Sequence, residues 1–230
     1  MVTKDLQTRL EEINKRIDDA TRRSGRKDKV KLLPVSKGQS PEKIKYFQRQ
    51  GFTIFGESRV QELREKDEKL DGVEWHFIGH LQRNKVKYLM RMENCTLIHS
   101  LDSWRLARTI DKRARKNNRK IPVLVQVNVA RDPNKFGIEP SEVKDFVYEV
   151  SKLENIRVEG LMTIVPYSEN PEEARPYFKQ MNNLKNMLCD KGFNVKELSM
   201  GMSNDFEVAI EEGATIIRIG TKLFGERVYN

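Results

Sequence analysis

The chain has 230 residues, with 43 Lys and Arg against 34 Asp and Glu for a formal net charge of +9. That length holds one large domain with a sizeable core. Two cysteines, Cys95 and Cys189, exclude a disulfide scaffold, and no apolar run is long enough to span a bilayer.

Leu6, Leu10, Ile13, Ile17 and Ala20 recur at helical spacing, which predicts an amphipathic helix ending near Ser24-Gly25. The start of the chain lacks the apolar core of a signal peptide, and a cytosolic location is expected. Strand-like runs follow at 30–37, 52–57, 73–80, 96–101, 122–129, 158–165, 197–202 and 215–223. Polar stretches of helical period separate them at 41–50, 60–70, 84–92, 103–118, 141–153, 171–191 and 205–212. Pro41, Pro140 and Pro171 stand near helix starts, while Gly51, Gly72, Gly192 and Gly213 stand just past helix ends.

Eight strands alternating with helices predict an α/β fold, a closed (β/α)8 barrel preceded by an extra N-terminal helix. An open doubly wound sheet is the competing architecture, but no Gly-rich fingerprint follows the first strand. No linker or low-complexity tract divides the chain, so 1–230 reads as one domain. In such barrels chemistry sits at the C-terminal strand ends, and phosphate commonly binds after strands seven and eight.

Lys37 closes the first apolar run, Lys31-Leu32-Leu33-Pro34-Val35-Ser36-Lys37. Period-two alternation puts it on one face with Leu33 and Val35, where desolvation favours the neutral, nucleophilic amine. A snorkelling rim lysine fits the same position. Arg218 interrupts the apolar strand Ile216-Ile217-Arg218-Ile219-Gly220 and projects opposite Ile217 and Ile219. A buried cation there needs a partner, either a structural ion pair or a ligand.

Small-residue turns follow the last two strands: Met200-Gly201-Met202-Ser203-Asn204-Asp205 and Gly220-Thr221. Ser203 is a candidate cap for the next helix, and Gly220 allows close backbone approach to an anion. An ordinary strand-to-helix turn has the same composition. The strand-end lysine and the Gly-Thr turn together suggest a phosphorylated aldehyde held as a Schiff base, which means pyridoxal phosphate (PLP).

His76 and His80 share a strand face but stand well apart, and no third ligand accompanies them, so no metal site is expected. A histidine hydrogen-bonded inside the barrel fits better. There is no G-x-S-x-G elbow and no P-loop. Cys95 and Cys189 lie beside apolar residues and read as buried thiols of a reducing compartment.

Six ordered motifs carry a resemblance: Val35-Ser36-Lys37; Phe55-Gly56-Glu57 with Val60-Gln61-Glu62; Trp75-His76-Phe77-Ile78-Gly79 with Leu81-Gln82 and Asn84-Lys85; Gly160-Leu161-Met162; Leu198-Ser199-Met200-Gly201-Met202-Ser203; and Arg218-Ile219-Gly220-Thr221 with Phe224-Gly225. Together they resemble the PLP homeostasis proteins, stand-alone relatives of the N-terminal barrel of alanine racemase. The resemblance runs from about Lys31 to Arg227.

It implies that Lys37 carries the cofactor as an internal aldimine. It also implies that Ser203, Gly220 and Thr221 hold the phosphate and that Arg218 faces the pyridine nitrogen, with Ser58, His76 and Met200 as further contacts. An arginine at that nitrogen leaves it unprotonated and a weak electron sink, which suits a carrier. The family commonly has Asn where this chain has Ser58, so the shorter hydroxyl weakens or replaces one contact to the ring edge.

The resemblance therefore implies a cofactor-binding protein that buffers and delivers PLP, with PLP-dependent apoenzymes as partners and no robust catalysis of its own. Amino-acid racemisation is the alternative. It needs a second base, which alanine racemase takes from a C-terminal domain and a partner subunit. This chain stops at Asn230, so a monomer without that domain is expected, with Tyr167 as the aromatic nearest to a substitute base.

Nucleic-acid binding is a third reading, prompted by the charge and by Lys112-Arg113-Ala114-Arg115-Lys116. A solvated helix face gives the same run, and no recognition motif accompanies it, so no specific nucleic-acid partner is expected.

Overall fold

The stripe from Leu6 to Ala20 forms one buried face of helix α1 (Val2–Arg23) in the computed structural model, which describes residues 2–226. Arg227, where the resemblance ends, lies outside the described residues. The α1 stripe packs on α8 (Phe206–Glu211) and α9 (Thr221–Phe224). Arg16 reinforces this contact by pairing with Glu207 and lying over the Phe206 ring, 4.8 Å from its centroid.

The strands are β1 (Lys31–Pro34), β2 (Ile54–Glu57), β3 (Glu74–Phe77), β4 (Cys95–Leu101), β5 (Ile121–Gln126), β6 (Ile156–Met162), β7 (Glu197–Ser199) and β8 (Ile216–Ile219). Between them lie α2 (Pro41–Arg49), α3 (Val60–Asp67), α4 (Val86–Leu89), α5 (Trp104–Arg115), α6 (Val143–Ser151) and α7 (Arg175–Asp190). The strands pair in parallel in the order β1-β8-β7-β6-β5-β4-β3-β2. A bridge between Val35 and Gly56 joins the two edges, with Ser36 N–H donating to Gly56 O at 3.0 Å. The (β/α)8 barrel expected from the alternation is the fold.

Period-two alternation sorts the strand residues into two compartments. Leu33, Leu97, Leu124, Met162 and Ile216 fill part of the lumen. Ile98, Val123, Val125, Leu161, Ile217 and Ile219 face the helices. Most of the core therefore lies between barrel and helices, as parallel sheets covered by helices require.

Several expected boundaries shift. The predicted strands 30–37 and 215–223 are longer than β1 and β8. The chain leaves β1 at Pro34, so Lys37 sits in a turn two residues past the Val35 bridge, and residues 221–224 form a helical turn. The stretch 84–92 forms only the short α4 after a 3-10 turn at Arg83–Lys85. Cys95 is buried as expected, but Cys189 is exposed. Its apolar neighbour Leu188 takes the inward position of α7, and the thiol reaches only Val195 O at 3.3 Å.

Candidate functional site

The lysine turn follows directly from β1. Lys37 is half-buried, between the fully buried Ser36 and the half-buried Gly38, whose φ of 67° turns the chain sharply toward α2. Each neighbour is held from α3 or β2. Ser36 Oγ donates to Glu57 Oε1 at 2.8 Å, Lys66 Nζ donates to Ser36 O at 2.6 Å, and Gly38 N–H donates to Glu62 Oε1 at 2.5 Å.

β8 lies beside β1 with Leu33 opposite Arg218, and Val35 N–H donates to Ile219 O at 2.8 Å. Gly220 follows with its Cα facing Val35: an added Cβ would stand 3.4 Å from Val35 O. Gly220, Thr221 and the lysine turn are thus neighbours at the same end of the barrel. In α9 the first closing bonds are those of Leu223 and Phe224 to Gly220 O, both 2.9 Å. The amides of Thr221 and Lys222 precede that ladder and have no intrahelical acceptor.

Ser203 lies half-buried in the turn after β7. It does not cap α8: the capping position is Asp205, whose carboxylate instead accepts from Met202 N–H at 2.6 Å. Asp205 is itself mostly buried, which raises its pKa against the pull of that amide and of Arg218.

Arg218 is 4% exposed and projects into the lumen, as its alternation with Ile217 and Ile219 predicted. Its Nη1 donates to Ser199 Oγ at 2.7 Å and its Nη2 to Thr163 O at 2.8 Å. Among the described residues no carboxylate forms an ion pair with it, and burial lowers its pKa to about 10, opposed by the charge of Asp205. The structural ion pair that a buried guanidinium could have made is therefore replaced by neutral acceptors.

Ser199 passes the contact inward. His99 Nδ1 lies 3.0 Å from Ser199 Oγ, and His99 Nε2 lies 3.0 Å from His76 Nδ1. Burial first, then neighbouring cations, hold both imidazoles below the usual histidine range, His76 at about 4. With both rings neutral, one assignment gives every donor between Arg218 and His76 an acceptor: Ser199 O–H to His99 Nδ1, then His99 Nε2–H to His76 Nδ1.

The three remaining candidates lie at different depths of the barrel. His76 is a lumen residue, as the sequence suggested, but it borders a cavity of ≈ 220 Å3 at the N-terminal end of the barrel with Lys31 and Thr53. The structure does not bring it to the strand ends. Met200 is fully buried in the layer between barrel and helices. Ser58 follows β2, and its carbonyl lies so near Gly79 that an added Cβ there would stand 2.1 Å away.

His80 pairs with Asp102 at 3.0 Å and stacks on Phe136, away from His76. Among the described residues no group of three His, Cys, Asp or Glu side chains is arranged to hold a metal ion. No helix among them is long and apolar enough to cross a membrane.

Sequence reasoning missed His99, Ser199, Thr163, Glu57 and Lys66. His99 had a signal, since it is a lone polar ring in the apolar run Leu97-Ile98-His99.

A (β/α)8 barrel of this kind is the fold of the alanine racemase N-terminal domain. The profile described as alanine racemase, N-terminal domain, matches residues 8–228. The alanine racemase of Clostridium difficile superposes with a TM-score of 0.78 at 16% identity, covering 99% of this chain and 58% of that one, a likeness of fold.

The pyridoxal phosphate homeostasis protein of Aquifex aeolicus is 52% identical over 226 residues, covering 96% of this chain and 98% of the relative. The structure of PipY of Synechococcus elongatus, with PLP bound, has a TM-score of 0.82 at 33% identity and covers 96% and 100% of the two chains. The chain belongs to the alanine racemase N-terminal domain family, in the branch whose members carry the name pyridoxal phosphate homeostasis protein.

Proposed function

We propose that this protein binds PLP as a Schiff base on Lys37 and takes part in intracellular PLP homeostasis by holding and releasing the cofactor. The observation that carries the reading is Arg218, a lumen guanidinium satisfied by a hydroxyl and a carbonyl rather than by a carboxylate. Such a group suits an unprotonated ring nitrogen, because it donates and does not readily give up its proton.

The donor set at the strand ends fits the rest of the cofactor. Ser203, the Thr221 hydroxyl and the first amides of α9 supply neutral donors for a phosphate, and Gly220 leaves the backbone bare beside them. Lys37, held between pinned neighbours, is the amine for the aldehyde. Ser58 stands at the end of β2, where the ring edge would lie, while His76 and Met200 act at a distance.

When bound, PLP supplies an electron sink, and an arginine at its nitrogen keeps that sink weak. Lys37 binds, Arg218 orients the ring, and the turn residues hold the anion. None of these roles requires a second base, which favours a carrier without turnover of its own. Tyr167, the residue weighed as a racemase base, is 81% exposed. The protein acts in the cytoplasm as a single-domain monomer, with PLP-dependent apoenzymes as recipients.

The test is the visible spectrum of the protein after PLP addition beside that of Lys37→Ala, followed by borohydride reduction and peptide mapping. The expected result is an absorption band bleached by reduction, with the adduct on Lys37 and none in the variant. A wild-type protein that takes up no PLP overturns the reading. Racemisation of alanine followed by chiral chromatography, at a rate above that of free PLP, overturns the carrier assignment.

A further inference from the structure

Lys66 is 5% exposed, an unusual place for an ammonium, and Glu57 is fully buried beside it. The ammonium has three N–H groups and places them all: on Ser36 O at 2.6 Å, Glu57 Oε1 at 2.6 Å and Glu62 Oε1 at 2.8 Å. The two carboxylates then pass the contact on. Glu57 Oε1 also accepts from Ser36 Oγ at 2.8 Å, and Glu62 Oε1 accepts from Gly38 N–H at 2.5 Å. Of the five hydrogen bonds, three end on Ser36 or Gly38, the residues on either side of Lys37.

A buried ion pair is weak evidence for stability, since apolar residues of similar size commonly serve as well. Burial indeed pushes the Glu57 carboxyl up, with Lys66 opposing. What this cluster provides is direction. It fixes one carbonyl, one hydroxyl and one amide of a turn whose last backbone bond to the sheet is that of Ser36 N–H to Gly56 O. The left-handed Gly38 makes the turn sharp, and Glu62 holds it there.

We propose that Lys66, with Glu57 and Glu62, is a positioning residue that clamps the Ser36–Lys37–Gly38 turn and so sets the reach of the Lys37 amine into the barrel mouth. The cofactor half of this statement rests on the reading of Lys37 given above. The clamp itself does not, because it holds the turn whether or not the cofactor is bound.

The test uses a Glu57→Gln/Lys66→Met double variant, which removes the ammonium without leaving Glu57 as an unpaired buried charge, together with Lys66→Arg. In cofactor-free protein, hydrogen exchange of the Gly38 amide is measured by NMR against core amides of β4 and β5. The double variant is expected to exchange Gly38 at least tenfold faster with the core amides unchanged. Lys66→Arg, which keeps a donor in place, restores part of the protection.

PLP titration then reads the consequence, with at least a tenfold weaker dissociation constant and a shifted pH midpoint of the visible band in the double variant. Gly38 protection equal to wild type overturns the clamp. A freed Gly38 with unchanged PLP affinity and pH midpoint overturns its role in placing Lys37. If the wild-type protein gives no borohydride-reducible adduct on Lys37, the cofactor reading fails, and Gly38 exchange still decides the clamp.

Discussion

His99 Nε2 lies 3.0 Å from His76 Nδ1 inside the barrel, so the two imidazoles share a single proton across that contact. A proton added to either ring would put a charge into the lumen near Arg218 or Lys31, and burial opposes it first.

Stability should therefore fall in mild acid. His76 has a folded pKa of about 4 against 6.5 when unfolded, so between those values the unfolded chain binds more protons and unfolding is favoured as pH drops. The contribution is complete above pH 6.5, declines toward pH 4 and then levels off. It amounts to on the order of 3 kcal/mol for His76, and His99 adds in the same direction. Urea unfolding between pH 7.5 and 4.5 checks this; a His76→Gln/His99→Gln variant should show a flatter profile.

Ser199 joins the histidine pair to Arg218, and Ser199→Ala strands Nη1 of Arg218 and Nδ1 of His99 among buried groups. The expected loss is about 1–3 kcal/mol in urea unfolding. PLP affinity should fall as well, because the guanidinium keeps only Thr163 O to fix its plane. Unchanged affinity in a folded variant would mean that Arg218 is oriented without the serine.

Gly79→Ala should be among the most damaging conservative changes. The new methyl would stand 2.1 Å from Ser58 O, a backbone atom that cannot swing aside. The cost is expected at or above the upper end of the roughly 1–3 kcal/mol typical of overpacking. Thermal unfolding beside Gly72→Ala, where an added Cβ meets nothing within 4 Å but the positive φ of 69° is strained, separates crowding from backbone strain.

The N-terminal helix is part of the core rather than an appendage. Ile13 is 3% exposed within the stripe that packs on α8 and α9, so Ile13→Ala should cost about 2–5 kcal/mol in urea unfolding. Since α8 and α9 follow the two turns proposed to hold the phosphate, the same variant should also weaken PLP binding at temperatures below its midpoint.

Legibility in the sequence followed the range of the interactions. Arg218 stood out because an apolar strand with one guanidinium breaks its own alternation, and its lumen position followed from Ile217 and Ile219. Lys66 did not stand out. Four residues after Glu62 on a polar helix, it has the pattern of an exposed pair, and only the packing of α3 against the end of β2 buries it. His99 and His76 stand 23 residues apart, and their contact depends on register between β3 and β4, which shifts at Trp75/His76. The limit of β8 was overread because the buried apolar Leu223 and Phe224 belong to α9 rather than to the sheet.

The edge between β1 and β2 gives the barrel an uneven rim. Elsewhere β1 runs beside β8 through four registered residues, but toward β2 it has only the Val35–Gly56 bridge and the Ser36 amide. The staves are therefore hooped at this one joint mainly by side chains, with the ammonium of Lys66 drawing Ser36 of the first stave to Glu57 of the second. Whatever loosens that hoop opens the cask beside Lys37, so the same few bonds that shut the fold also border the proposed entry to it.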